Sequence, residues 1–395
     1  MQELKKKYEA LFTRELFLSC APFWLTNGRD PANGGVANCL DRKGELYSTD
    51  KSVWMQGRTA YTYAFLYNNF EKNPAWLDFS ADCLGFLKAH CFDSDGRMFF
   101  TVTKDGQPLR KRRYWFSESF FCIASLEYAK ATGDAAALLD ARRTFDMIYG
   151  IYRDPASDPY KITPKSYGTT RALESLSAPM ILLNVASLLR AADPERKEYY
   201  NRAIDGFIAD IQAHHNAELG CMLEAIPVGG GYLSEAAEGR IVNPGHDIEC
   251  AWFLLEEGIH RNDPALKAFA KTVFDEAIAR GWDTEYGGIL YFVDAEGKPV
   301  EAYEHDMKLW WPHNEAIIAS LMLYRETGDP TYRAWFERIT EYAFRHFSDP
   351  EFGEWLGYLR RDGKPTEPPC KGHTYKGAFH VMRMLAKVLL ILRDA

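Results

Sequence analysis

The sequence predicts an all-α protein in which six helical hairpins close into a ring, an (α/α)6 barrel with short β-hairpin insertions at one rim. Three observations predict it: a turn signal that recurs along the chain, a glycine-containing phrase after most predicted outer helices, and a more apolar helix after each phrase. This alternation fits a ring because amphipathic helices can form its outside while mostly apolar helices pack inside.

The outer helices are marked by turn signals. The N-terminal stretch "MQELKKKYEALFTRELF" is an amphipathic helix, and five acidic or Pro-containing stretches then recur about every 60 to 70 residues. Asp or Asn accepts hydrogen bonds from the free N–H groups of a helix start, and Pro fits the first helical position. The stretches are "EKNPAW" at Glu71, "ATGDAA" at Ala131, "AADPER" at Ala191, "RNDPAL" at Arg261 and "ETGDPT" at Glu326.

A second phrase follows the outer helices and runs through an acidic turn and Gly into a short strand. It is seen in "HCFDSDGRMFF", "HHNAELGCML", "GWDTEYGGILYF" and "HFSDPEFGEWLGYL", and first in "GRDPANGGVANCLDRKGE". The turns "KDGQ", "AEGK" and "RDGK" predict hairpins after several of these phrases. The third repeat, around residues 154–168, is shorter and carries no clear hairpin.

Six inner helices follow, and in a ring they all begin at the same rim. Their predicted starts lie near Met55, Ser117, Leu176, His246, His313 and Tyr375. An open stack of helical repeats is the alternative, but the hairpin insertions all fall on one side of the helix pairs. No Pro- or Gly-rich linker divides the chain, so we predict one domain over residues 1–395.

Composition excludes several classes of partner. The net charge of −8 argues against nucleic acid and anionic membranes, and no apolar run approaches membrane length. The N-terminus lacks the apolar stretch of a signal peptide, so we expect a cytosolic protein. Its eight scattered cysteines, with no C-x-x-C pair, are expected to be buried thiols.

Titratable residues gather at the predicted inner-helix starts. A single pair such as His246 and Glu249 could simply cap a core helix, but pairs at four or five starts of one rim favour a functional site. The third inner helix, with Arg171 and Glu174, is the weakest case. The other residues at these starts are Arg58, Trp115, Ser117, Glu118, Trp310, Trp311, His313, Glu315, Lys376, His380 and Arg383.

These residue types suit proton transfer next to a carbonyl. Imidazole abstracts and returns protons near neutral pH, a carboxylate such as Glu249 or Glu315 can fix its tautomer, and Arg58 could stabilise an enediolate. One base on each face of the substrate would give epimerisation. No serine-hydrolase, P-loop or H-E-x-x-H motif is present, and "VGGGY" at Val228 is a turn rather than a phosphate loop. A metal on His246 and Glu249 with His313 or His380 is the less favoured alternative.

Five phrases resemble the N-acylglucosamine 2-epimerase family, which includes the animal renin-binding protein. They are "DKSVWMQGR", "NPGHDIECAWFLL", "MKLWWPHNEA", "FGEWLGYLRRDGK" and "YKGAFHVMRML", in order along nearly the whole chain. The resemblance implies an (α/α)6 barrel that interconverts N-acetylglucosamine and N-acetylmannosamine through the open-chain aldehyde. Met382 departs from the animal "FHVPR" phrase, and we expect it to change packing near His380.

The resemblance also implies roles for individual residues. His246 and His380 are the expected general acid/base pair, and no cofactor is required for the chemistry. ATP is expected only as an activator, and many family members are homodimers. The expected substrate-binding residues are Arg58, Glu249, Glu315 and Arg383, with Trp311 and His313 from the same phrase as Glu315.

Other activities remain open on the sequence alone. An aldose–ketose isomerase, or a 2-epimerase of mannose or cellobiose, would use the same scaffold, but having both His246 and His380 favours epimerisation. A glycoside hydrolase could use Glu249 and Glu315 as its carboxylate pair. A binding protein without activity would leave the histidines unexplained. We expect His380 to remove the C2 proton of the gluco epimer.

Overall fold

The computed structural model describes residues 1–111, 114–160 and 167–394. Within these ranges, outer and inner helices alternate along the chain. The outer helices are α1 Gln2–Arg14, α4 Pro74–His90, α6 Ala135–Arg153, α8 Lys197–Ala213, α10 Pro264–Gly281 and α12 Pro330–His346. The inner helices are α3 Val53–Asn69, α5 Phe116–Thr132, α7 Ser177–Ala192, α9 Pro244–Arg261, α11 Trp310–Thr327 and α13 Phe379–Arg393. Helix α1 continues through two π-helical segments, Glu15–Cys20 and Trp24–Gly28, with the short α2 Ala21–Phe23 between them.

The inner helices form a closed ring. Each packs against the next, from α3 through α5, α7, α9 and α11 to α13, and α13 packs against α3 again. Outer helix α1 closes the outside of the ring by packing against α13. The (α/α)6 barrel is therefore confirmed, and the open stack of repeats is wrong.

Four of the five predicted outer-helix caps form as expected. The side chains of Asn73, Asp134, Asp263 and Asp329 each accept a hydrogen bond from a backbone N–H in the first turn of the helix that follows. Asp193 is the exception, because a 3-10 turn precedes α8 there. Its carboxylate instead accepts from the Arg142 and Tyr200 side chains.

Short antiparallel strands cover the rim where the inner helices begin. The strands are β1 Cys39–Leu40, β2 Leu46–Ser48, β3 Lys51–Ser52, β4 Thr101–Val102, β5 Pro108–Arg110, β6 Leu173–Ser175, β7 His215–Asn216, β8 Cys221–Met222, β9 Ala225–Pro227, β10 Ile241–Val242, β11 Val293–Asp294, β12 Lys308–Leu309 and β13 Tyr358–Leu359. The pairs β3–β4, β6–β9, β10–β11 and β12–β13 join strands from different repeats.

Two of the three predicted hairpin turns form. "KDGQ" connects β4 to β5, and "RDGK" is closed by a bond from the Arg360 N–H to the Lys364 carbonyl. The hairpin predicted at "AEGK" is wrong, because residues 298–300 after that turn form no strand and β11 before it pairs with β10. The predicted short third repeat, residues 154–168, lies partly outside the described residues.

An aspartate–lysine pair recurs between the phrase after an outer helix and the strand segment that leads to an inner helix. Lys51 contacts Asp30 at 2.9 Å, Lys308 contacts Asp283 at 2.8 Å, and Lys371 contacts Asp349 at 3.0 Å. These three lysines are almost fully buried. Lys111 and Asp93 form a fourth such pair, whose side chains are partly exposed. The pairs fix the segments from which the inner helices begin.

Most inner helices begin one to three residues from the predicted positions, but α13 begins later. Residues 373–376 form a turn in which the His373 N–H donates to the Lys376 carbonyl, so the helix cannot begin near Tyr375 and starts at Phe379.

The described residues contain no helix that is long and apolar enough to cross a membrane. All eight cysteines are free thiols, and only Cys370 is not fully buried.

Candidate active site

The starts of α3, α9, α11 and α13 bring seven of the eight predicted site residues to one rim. Asn243 caps α9 by accepting from the His246 N–H at 3.2 Å, which places His246 and Glu249 in its first two turns. Helix α11 begins directly after β12, which places Trp311 and Glu315 at the same level. His380 and Arg383 lie one turn apart at the start of α13.

Glu315 is the centre of a buried hydrogen-bond network. Its Oε1 accepts from His380 Nδ1 at 2.8 Å and from Arg383 Nη2 at 2.6 Å. Its Oε2 accepts from Trp252 Nε1 at 2.9 Å. Arg383 Nη2 also donates to Glu249 Oε1 at 2.8 Å. The network therefore ties three inner helices together at the rim.

His380 is built as a neutral base. Because Nδ1–H donates to Glu315, the lone pair lies on Nε2, for which no described residue is a hydrogen-bond partner. Burial lowers the pKa of His380 well below its usual range, and the positive charges of Arg58 and Arg383 lower it further. At neutral pH the imidazole can accept a proton at Nε2.

His246 has a similar contact but a different environment. Its Nδ1–H donates to Glu224 Oε2 at 2.8 Å, and 25% of its side chain remains exposed. Burial by itself would lower the pKa of His246, but the charge and hydrogen bond of Glu224 outweigh it, and the pKa is raised. His246 therefore holds a proton more readily than His380 does.

The indole of Trp311 lies between the two imidazoles. Its ring centroid is 5.2 Å from that of His246 and 6.0 Å from that of His380. Gly245 allows this position, because a β-carbon there would lie 2.6 Å from the Trp311 ring. Aromatic rings commonly pack against sugar rings, whose C–H faces are apolar.

Arg58 completes the site from α3. Its guanidinium lies 4.2 Å from the Phe120 ring centroid and donates to the Tyr375 carbonyl at 3.3 Å, while its buried Nε has no partner among the described residues. Burial lowers the pKa of Arg58 to about 9, so it remains charged at neutral pH. A buried cation with an unused donor is suited to bind an oxyanion.

The structure does not bring His313 into this group. Its Nδ1–H donates to the Leu309 carbonyl at 2.6 Å, and its Nε2 accepts from the Ile289 N–H at 2.9 Å. The ring is fully buried against Tyr342 and Phe347, and burial lowers its pKa to about 3. Both nitrogens are thus used within the protein, and we place His313 in the core.

Several other rim residues have structural partners. Glu118 pairs with Arg97 at 2.7 Å, and Lys376 pairs with Glu354 at 2.9 Å, all four side chains being fully buried. Glu174 lies on β6 with its side chain exposed. The two buried pairs stabilise the rim, and none of these residues joins the cluster around Glu315.

Two residues of the site were missed by sequence reasoning. Glu224 lies on the short connection between β8 and β9, and nothing in "GCMLEA" distinguishes it from a surface carboxylate. Trp252 has the spacing of a residue on the apolar face of α9, yet its Nε1–H donates to Glu315. The only available signal for Trp252 was that buried tryptophans usually find a hydrogen-bond acceptor.

Glu249, Glu315 and His380 also have the composition of a metal site. One donor atom from each lies within 4.8 Å of the others. Arg383 donates to both carboxylates, so the protein already supplies the cation that this cluster needs. The arrangement therefore fits an ion-pair network better than a metal centre.

Comparison with known proteins places the chain in a family. The profile described as N-acylglucosamine 2-epimerase (GlcNAc 2-epimerase) matches residues 34–383. The N-acylglucosamine 2-epimerase of Bos taurus is 39% identical over 98% of this chain and 91% of its own length. That of Homo sapiens is 38% identical over 92% of this chain and 85% of its own length.

A solved structure shares the fold. The cellobiose 2-epimerase from Spirochaeta thermophila superposes with a TM-score of 0.82, covering 100% of this chain and 98% of that one at 23% identity. At that identity the likeness concerns the barrel alone. The match of the profile and the identity to the two mammalian proteins extend over most of the chain, and the chain belongs to the N-acylglucosamine 2-epimerase family.

Proposed function

We propose that the chain is a sugar 2-epimerase that interconverts N-acetylglucosamine and N-acetylmannosamine. The observation that carries this proposal is the pair of imidazoles beside Trp311. Each has Nδ1 on a carboxylate at 2.8 Å, which leaves Nε2 as the reacting atom. Removal and return of a proton on opposite faces of the substrate require two such groups at one rim.

The residues suggest a route through the open-chain aldehyde. Neutral His380 takes the C2 proton at Nε2, and the electron pair moves to the carbonyl oxygen to form an enolate, since C2 carries the acetamido group. Arg58, with its unused Nε–H, stabilises that oxygen. Protonated His246 then returns a proton to C2 from the other face, and the reverse reaction exchanges the two roles.

A glycoside hydrolase fits this site less well. Such an enzyme needs one carboxylic acid that stays protonated to donate to the leaving oxygen. Both Glu249 and Glu315 accept a hydrogen bond from Arg383, so neither is placed as a free proton donor. They therefore act in orienting His380 and binding hydroxyl groups.

An N-acyl sugar is favoured over a free sugar by the relatives. The two mammalian proteins named N-acylglucosamine 2-epimerase are 39% and 38% identical to this chain, whereas the cellobiose 2-epimerase of Bacteroides fragilis is 23% identical. Aldose 2-epimerisation and aldose–ketose isomerisation are the alternatives on the same barrel.

The proposal is tested by product analysis. We expect the purified protein to convert N-acetylglucosamine into N-acetylmannosamine, and the reverse, when products are separated by anion-exchange chromatography. Mannose, glucose and cellobiose are assayed in parallel. Ketose from mannose would make the protein an isomerase, a 2-epimer of cellobiose would make it a disaccharide epimerase, and no conversion of any sugar would contradict the proposal.

ATP activation, a homodimer and a cytosolic location stay predictions. Gly229, Gly230 and Gly231 form a turn with positive φ that leads into a 3-10 segment, so this loop lacks the α-helix start on which phosphate loops depend. The product assay is therefore run with and without ATP, and light scattering measures the mass of the particle in solution.

A further inference from the structure

The two histidine–carboxylate pairs have equal hydrogen-bond lengths and unequal charge. Both Nδ1–carboxylate distances are 2.8 Å. Glu315 also accepts from Arg383 and Trp252, so its negative charge is shared. For Glu224, His246 is the only hydrogen-bond partner of the carboxylate within the described part of the chain. Within the described residues, no second hydrogen-bond donor therefore shares the negative charge of Glu224 with His246.

The backbone holds Glu224 in place for this contact. Its N–H donates to the Ile241 carbonyl at 2.9 Å, and its carbonyl accepts from the Leu176 N–H at 3.0 Å. The first bond connects it to the segment just before α9, and the second connects it to the start of α7. The carboxylate is thus presented from a fixed main chain between two inner helices.

The other groups around His246 do not cancel this charge. Glu249, one turn along α9, adds a second negative charge. Asp247 is buried, and burial together with the charge of Glu224 raises its pKa well above the usual range and keeps it uncharged. Tyr291 stays neutral because burial raises its pKa to about 12, and the neighbour from α11 is the uncharged ring of Trp311.

We propose that Glu224 is a positioning residue that holds His246 with Nε2 free for the substrate and keeps it as the proton-bearing member of the histidine pair. The proposal rests on the proposed function and deepens it, because it makes the two histidines unequal before substrate arrives. The resting protein is then ready for the epimer whose C2 hydrogen faces His380. The other epimer reacts only with the form of the protein in which the proton has moved from His246 to His380.

Each direction of the reaction needs one proton on the two histidines together. The direction that begins at His380 needs protonated His246, so its kcat/KM falls as pH rises through the pKa of His246. The direction that begins at His246 needs the proton on His380 instead, so it uses a pair with the same number of protons and its kcat/KM falls over the same interval. Because the ratio of the two kcat/KM values is fixed by the equilibrium constant of two neutral sugars, removal of the Glu224 charge should shift this fall to lower pH in both directions alike.

The test replaces Glu224 by Gln, which keeps the shape of the side chain and removes its charge. Glu218→Gln is the matched control, since Glu218 lies exposed in the turn between β7 and β8. The ten histidines are labelled with 13C at Cε1, and the His246 signal is assigned by its loss in His246→Asn. Titration midpoints are followed by NMR without substrate, and kcat and KM are measured in both directions.

We expect Glu224→Gln to lower the titration midpoint of His246 by about one pH unit, because a paired carboxylate shifts a neighbouring group by about one to three. We expect kcat to fall about tenfold, a part of what acid–base catalysis contributes, with KM changed less than about twofold. Glu218→Gln should match the wild type in every measurement. An unchanged midpoint and an unchanged pH profile in Glu224→Gln would overturn the proposal.

Two further measurements keep the test decisive. If Glu224→Gln does not fold, Glu224→Asp, which keeps the charge, is titrated instead, and a midpoint below that of a free histidine would contradict the proposal. In the wild type, His246 must titrate above His380, and the opposite order would also contradict it. A wild type that titrates as expected but converts no sugar would overturn the proposed function and leave the Glu224–His246 contact standing.

Discussion

Trp252 and Glu315 join neighbouring inner helices through a buried hydrogen bond of 2.9 Å from the indole N–H to the carboxylate. The bond fixes the second oxygen of Glu315 while the first accepts from His380 and Arg383. The Trp252 ring also lies 5.3 Å from the Arg383 guanidinium. A residue that looks like core packing thereby orients the base of the site.

Removal of that indole donor should slow the reaction without weakening substrate binding. We expect Trp252→Phe to lower kcat about tenfold, because Glu315 and His380 lose one constraint on their orientation, while KM changes less than about twofold. Trp335→Phe, on outer helix α12, serves as the control and should retain the wild-type kcat. A normal kcat in folded Trp252→Phe would mean that this bond has only a structural role.

Replacement of His380 should remove proton exchange from one face. We expect His380→Asn to abolish entry of solvent deuterium at C2 of N-acetylglucosamine, because no other described imidazole donates its Nδ1–H to Glu315 and offers Nε2 as the base. Proton NMR of the C2 signal in D2O measures this directly. If His246→Asn alone abolished the exchange, the two histidines would serve the opposite faces.

His313 should prove to be structural. We expect His313→Asn to lower the free energy of unfolding by about 2 kcal/mol, because the Ile289 N–H or the Leu309 carbonyl loses its buried partner. At a temperature where the variant is folded, its kcat should stay within about threefold of the wild type. A large loss of kcat in fully folded His313→Asn would show that His313 acts in the active site.

Asp349 should make the fold sensitive to acid. Burial alone would raise its pKa, but hydrogen bonds from Arg42 and Lys371 lower it to about 2. A depressed pKa stabilises the native state above the unfolded pKa of about 4, and this contribution is lost as pH falls from about 4 to about 2. Urea unfolding across that interval should therefore show a free energy of unfolding that falls by about 2 kcal/mol from this group.

The matching variant is Asp349→Asn, which leaves the buried Lys371 without its carboxylate. We expect it to lower the free energy of unfolding at pH 7 by about 3 kcal/mol and to remove that part of the acid sensitivity. Glu351→Gln is the control, since Glu351 is the exposed partner of the same Arg42. Its effect should stay below about 0.5 kcal/mol.

Local signals predicted the barrel well. The caps at Asn73, Asp134, Asp263 and Asp329 are contacts within one turn of chain, so residue type and spacing were sufficient to place the outer helices. The "AEGK" hairpin failed because the strand before it has a competing partner more than 50 residues earlier, β10. Pairing between repeats has no local signature.

The sequence predicted those site residues that lie at the starts of inner helices. His246, Glu249, Glu315, His380 and Arg383 all follow from the rule that the inner helices begin at one rim. Glu224 could not be found this way, because it reaches His246 from a strand connection rather than from a helix. His313 shares the helix start but faces outward, since Glu315 two residues later faces the barrel interior and the two lie about 200° apart around the helix.

The central claim is proton exchange at C2 by two histidines, and the most direct measurement is incubation of the protein with N-acetylglucosamine in D2O, with and without ATP. Proton NMR follows the C2 signal and the appearance of N-acetylmannosamine. We predict that N-acetylmannosamine forms with deuterium at C2. Formation of N-acetylmannosamine that keeps its C2 hydrogen, or no reaction under either condition, would contradict the account.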